Sequence, residues 1–82
     1  MKLGPQLITL LNKRYEPSST IETVFNKYDL TFKTDDQGRP ILAFIGNKGP
    51  NGIIKGERFA RRIVTDQTGQ VIKDHWDNKG KS

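Results

Sequence analysis

The sequence predicts an α+β fold: two short N-terminal helices packed on a four-stranded antiparallel meander that can curl strongly. Three observations predict it. Apolar residues recur at helical spacing twice before residue 29, alternating or compact apolar runs follow, and turn signals separate those runs. At 82 residues and 9.3 kDa the chain holds one small domain, residues 1–82, whose core must be thin.

Leu3, Leu7, Leu10 and Leu11 fall on one helical face, Pro5 suits a first turn, and Lys13-Arg14 sit at the favourable end of the helix dipole. A first helix over residues 5–15 follows, broken by Glu16-Pro17-Ser18. Ser19-Thr20-Ile21-Glu22 has capping-box spacing, and Ile21, Val24, Phe25 and Tyr28 continue at i, i+3, i+4 and i+7. That places a second helix at residues 20–28.

The antiparallel strands are expected within residues 30–77, with a tail at 78–82. Leu30-Thr31-Phe32-Lys33 alternates, and residues 41–45 form a compact apolar run. Between them Asp35-Asp36-Gln37-Gly38 is hairpin chemistry, since Asp caps a type I turn and Gly takes the left-handed position after it. Asp66-Gln67-Thr68-Gly69 repeats the pattern between Ile63-Val64-Thr65 and Val71-Ile72, and Pro50-Asn51-Gly52 supplies another turn. Two matching turns predict a meander rather than a duplicated domain.

Residues 59–64 also fit one face of a helix, but the β-branched density towards Thr65 and the run across Gly69 favour a strand. Two registers of that hairpin compete. A four-residue loop sets Ile63 opposite Ile72, Phe59 opposite Trp76 and Arg61 opposite Asp74. A three-residue loop with a Gly bulge sets Val64 opposite Ile72 and Arg62 opposite Asp74. Either brings Asp74 to an arginine. The expected core is Leu7, Leu10, Leu11, Val24, Phe25, Phe32, Leu42, Phe44, Ile63, Ile72 and Trp76.

Charge narrows the functional classes. Fourteen Lys and Arg against 9 Asp and Glu give a net charge of +5 and a pI near 9.8, which favours polyanions. Residues 1–41 carry +1 and residues 42–82 carry +4, so an electrostatic partner meets the second half. Lys55, Arg58, Arg61 and Arg62 fall within eight residues, and Lys73 and His75 lie on the strand expected beside them. These six are the candidate anion-binding residues.

Catalytic chemistry finds little footing. The chain has no Cys, which removes disulfides, thiol catalysis and zinc knuckles, and it has one His. Asp74-His75-Trp76-Asp77 invites a metal or general-base reading, but strand alternation puts His75 and Asp77 on one face and Asp74 and Trp76 on the other. Gly46-Asn47-Lys48-Gly49-Pro50-Asn51-Gly52 lacks Walker spacing and reads as a turn, with an anion-binding nest as the alternative. No catalytic, cofactor or metal site is therefore assigned.

With no continuous apolar run for a signal or membrane span, and no disulfides, the expectation is a soluble cytoplasmic protein with no membrane partner. Two non-enzymatic functions follow. The first is a small protein-interaction or accessory module; the second binds nucleic-acid backbone through a basic face in the C-terminal half.

Overall fold

One helix, not two, precedes the sheet, and the sheet has five strands rather than four. In the computed structural model, which describes residues 3–81, α1 (Pro5–Leu11) is followed by β1 (Thr20–Phe25), β2 (Tyr28–Thr34), β3 (Pro40–Lys48), β4 (Ile54–Thr65) and β5 (Val71–Lys81). The strands pair antiparallel in the order β1-β2-β3-β4-β5, so the protein is mostly β. Its principal extents are 45 × 24 × 20 Å. No helix among the described residues is long and apolar enough to cross a membrane.

The first helix is shorter than the expected 5–15. Asn12 ends it, its backbone N–H donating to the Ile8 carbonyl. Tyr15 then folds back: its hydroxyl donates to the Leu10 carbonyl at 2.7 Å, and its ring packs tilted on Phe32 at 4.8 Å. Leu7 and Leu11 bury the helix's apolar stripe on the sheet.

Residues 20–28, expected as a second helix, are β1 and the start of β2. Ile21 and Phe25 are four apart, a spacing that serves one face of a helix and one face of a strand alike. Composition decides for the strand, since Thr20, Ile21, Thr23, Val24 and Phe25 are all strand formers. Asn26, at a φ of 55°, then turns the chain directly into Tyr28, which pairs with Phe25. The apparent capping box does not form: Ser19 Oγ donates to the Pro17 carbonyl, and Glu22 accepts from Lys48 Nζ across the sheet at 2.8 Å.

The core lies between α1 and the inner face of the sheet, on Leu7, Leu11, Leu30, Phe32, Ala43, Ile45 and Phe59. Of the expected core, Leu7, Leu11 and Phe32 are buried, while Leu10, Phe25, Leu42, Phe44, Ile63 and Trp76 are half-buried. Val24 and Ile72 are corrected outright, at 60% and 64% exposed. Val24 faces away from the helix because Ile21 and Phe25 set the strand's parity, and Ile72 lies in a bulge.

Gly46 of β3 and Gly56 of β4 stand directly opposite each other. A Cβ on Gly46 would meet the Lys55 carbonyl oxygen at 2.1 Å and Gly56 Cα at 2.8 Å. The two backbones close up here in a way only glycine permits.

The two Asp-x-x-Gly turns are built alike. Asp35 Oδ1 accepts from the N–H groups of Gln37 and Arg39, both at 2.9 Å, and Asp66 Oδ1 from those of Thr68 and Gln70 at 2.9 and 3.0 Å. Gly38 and Gly69 take φ values of 79° and 86°. After each turn the returning strand inserts one extra residue, Ile41 in β3 and Ile72 in β5.

That second bulge settles the hairpin register. Thr65 pairs with Val71 as the three-residue loop requires, but beyond Ile72 the register slips by one, so Ile63 faces Asp74, Arg62 faces His75 and Arg61 faces Trp76. Neither expected register continues down the strand. Residues 59–64 are strand, as the β-branched density indicated. Residues 78–81, expected as tail, continue β5 past a second bulge, where Gly80 has a φ of 92°; Ser82 lies outside the described residues.

Candidate functional site

Strand alternation divides the six candidate cations. On β4, Arg58 and Arg62 point to the outer face, away from α1, and on β5 Lys73 and His75 share that face. Arg62 stands directly opposite His75, Lys73 opposite Val64, and Arg58 opposite Phe44 of β3. Arg58, Arg62 and Lys73 are exposed, and His75 and Phe44 are half-buried. With about 3.3 Å per residue, Arg58 and Arg62 are about 13 Å apart along the strand.

Arg61 turns to the inner face and is committed to structure. Its Nε and Nη2 hold the two Asp74 oxygens, each at 2.6 Å. Nη1 donates to the carbonyls of Leu11 and Pro40 at 3.3 and 3.2 Å, and Nη2 to Asn12 Oδ1 at 3.3 Å. The guanidinium lies 5.7 Å from the Trp76 ring centre. One side chain thus ties the end of α1, the start of β3 and β5 together, and at 8% exposure it is closed to a ligand. The expected meeting of Asp74 with Arg61 or Arg62 occurs with Arg61, diagonally across the ladder. Lys55 also leaves the group: it sits beside Asn47 at the foot of the β3–β4 loop.

Acidic side chains accentuate the division. Asp35 pairs with Arg39 at 2.8 Å, Glu22 with Lys48 at 2.8 Å and Asp74 with Arg61 at 2.6 Å. On the outer face Asp77 Oδ2 lies 3.2 Å from His75 Nε2. Among the described residues Arg58, Arg62 and Lys73 have no acidic partner within 4 Å, although Asp77, opposite Ala60, stands on the same face between the levels of Arg58 and Arg62. Among those residues no group of three His, Asp or Glu is arranged to hold a metal ion. A cavity of about 460 Å³ lies on the opposite side of β5, between Ile8 and Asn12 of the helix segment and Phe59 and Trp76 of the sheet.

Asp74 carries a pH dependence of its own. Hydrogen bonds from Arg61 hold its carboxyl below the ordinary aspartate value of 3.8, against a desolvation that raises it. A folded value below the unfolded one gives stability that is present above the unfolded value and lost as pH falls through the folded one. Thermal unfolding midpoints should therefore decline as the pH drops from about 3.8 downwards, and Asp74→Asn should flatten part of that decline. Asp35, Glu57 and Asp66 shift in the same direction and add to the decline. An unchanged acid limb in Asp74→Asn would contradict this.

The outer face of β4 and β5 therefore has to be read from its own chemistry, because comparison with protein-family models, curated proteins and solved structures finds no match to this chain.

Proposed function

We propose that the protein is a small non-enzymatic binding module that takes the phosphate backbone of nucleic acid on the outer face of β4 and β5. The observation that carries this is the set of Arg58, Arg62 and Lys73, exposed on one face with no carboxylate within 4 Å, with His75 opposite Arg62 and Asp77 as the carboxylate between the levels of Arg62 and Arg58. Arginine's planar fork suits phosphate oxygens, and a row of cations at strand spacing follows a backbone without reading bases. Phe44, opposite Arg58, is half-buried on the same face and supplies an aromatic side chain next to the proposed phosphate contacts.

The test compares two variants of equal charge change. Arg58→Gln with Arg62→Gln removes two of the proposed contacts, whereas Lys13→Gln with Lys27→Gln removes two exposed charges elsewhere. In a log–log plot of affinity against salt, the first pair should flatten the slope by about 2 and weaken binding severalfold more than the second. Equal losses in the two pairs would mean diffuse attraction.

A second reading has an observation of its own. Val71 and Ile72, at 46% and 64% exposed, lie on the edge strand β5, and exposed apolar residues on a sheet edge suit a protein partner. Failure of the parent chain to bind nucleic acid at physiological salt would leave this protein-interaction module as the function.

A further inference from the structure

We propose that the β4–β5 turn is a docking site for an extended segment of a partner protein, bound as residues 15–19 of this chain bind the β2–β3 turn. The two turns align position by position over residues 34–41 and 65–72, with Thr34, Asp35, Gly38 and Ile41 identical to Thr65, Asp66, Gly69 and Ile72. The turn-closing bonds agree too: the Gly38 N–H donates to the Asp35 carbonyl and the Gly69 N–H to the Asp66 carbonyl, both at 3.1 Å.

Only the first turn is covered. The Tyr15 N–H donates to the Gly38 carbonyl and the Ser18 N–H to the Asp35 carbonyl, each at 2.8 Å. The Thr34 N–H donates to the Ser19 carbonyl at 2.9 Å. Thr34 Oγ1 donates to the Glu16 carbonyl at 2.6 Å and accepts from the Ser19 N–H at 2.9 Å. Pro17 falls where no donor is called for. Thr34 is consequently 7% exposed.

The matching groups of the second turn stand open. Among the described residues the Gly69 carbonyl and Thr65 Oγ1 make no hydrogen bond, and nothing lies within 4 Å of the place a Gly69 Cβ would occupy. The Asp66 N–H donates to the Gln70 carbonyl, so the Thr65 N–H and C=O one residue back point away from β5. On that side β3 has already left, its last pairing with β4 being Leu42 with Ala60. All of residues 65–74 are exposed.

The occupied turn specifies the chemistry of the guest. Two carbonyls, one N–H and one hydroxyl match a peptide backbone, whereas carbonyl oxygens beside the Asp66 carboxylate repel phosphate. Ile63 stands where Phe32 carries the Tyr15 ring, so an aromatic residue leads, followed after one position by proline and two small residues. Ser18, at a φ of 50°, favours a small residue at the fourth place.

The experiment titrates the isotopically labelled full chain with a synthetic peptide of residues 14–20 and follows the backbone amides by NMR. Millimolar peptide should shift the amides of Thr65, Asp66, Gly69 and Gln70. A peptide with alanine in place of tyrosine and proline should not, and Thr65→Val should weaken the interaction about tenfold, since one hydroxyl makes two bonds. No shift at this turn would overturn the proposal, as would equal shifts in Thr65→Val or shifts confined to Asp35 and Gly38.

Discussion

Arg61→Met should lower the unfolding free energy by about 3 kcal/mol in urea titration, with the slope of the transition unchanged. The guanidinium satisfies both Asp74 oxygens and the carbonyls of Leu11 and Pro40, and methionine fills its volume without replacing any donor. Asp74 is 35% exposed, so water recovers part of its solvation, which holds the loss near the lower end for broken buried pairs. The neighbouring Arg62→Met should change stability by no more than about 0.5 kcal/mol, because that side chain is exposed and unpaired. For a domain with a total stability of about 4 to 12 kcal/mol, the first loss is large. A cost below about 1 kcal/mol for Arg61→Met would refute its structural role.

The second large effect is expected at the glycine pair. Gly46→Ala places a methyl group 2.1 Å from the Lys55 carbonyl oxygen, and that contact is with backbone, which cannot rotate aside. The central β3–β4 ladder must part to admit it, so the loss should reach about 3 kcal/mol or more. Gly56→Ala should do the same, since its Cβ meets the Ile45 carbonyl oxygen at 2.1 Å. Loss of sheet signal in far-ultraviolet circular dichroism at 25 °C would meet the expectation; a variant within about 1 kcal/mol of the parent would refute it.

Turn chemistry proved the most legible part of this chain because it is local. Asp35 and Gly38, or Asp66 and Gly69, carry within four residues everything their turns need. The segment around Ile21 was not legible from periodicity, because a spacing of four is common to both periods; the run of β-branched residues ending at Asn26 was the better signal. For the site, the clustering of cations in sequence was visible, but a strand sorts by parity. Arg58 and Arg62 share one face, whereas Lys55 and Arg61 belong to the other, and that arithmetic was available once residues 59–64 were read as strand. The slip at Ile72 was not available, because a bulge depends on how the sheet twists to set Arg61 over Trp76.

The order β1-β2-β3-β4-β5 has a kinetic meaning. Every strand finds its ladder partner next to it along the chain, so no pairing waits for the closure of a long loop. Such a sheet can zip from one hairpin to the next, which places it towards the fast end of β-rich domains. The same arrangement makes the two ends unequal. The β2–β3 hairpin is clamped by residues 15–19 and by α1, whereas the tip of β4–β5 is held by its own ladder alone beyond Arg61. Opening therefore begins at the tip, so the peptide surface and the Arg62, Lys73 and His75 end of the phosphate surface lie on the segment that opens first, whereas Arg58 stays on the β3–β4 ladder.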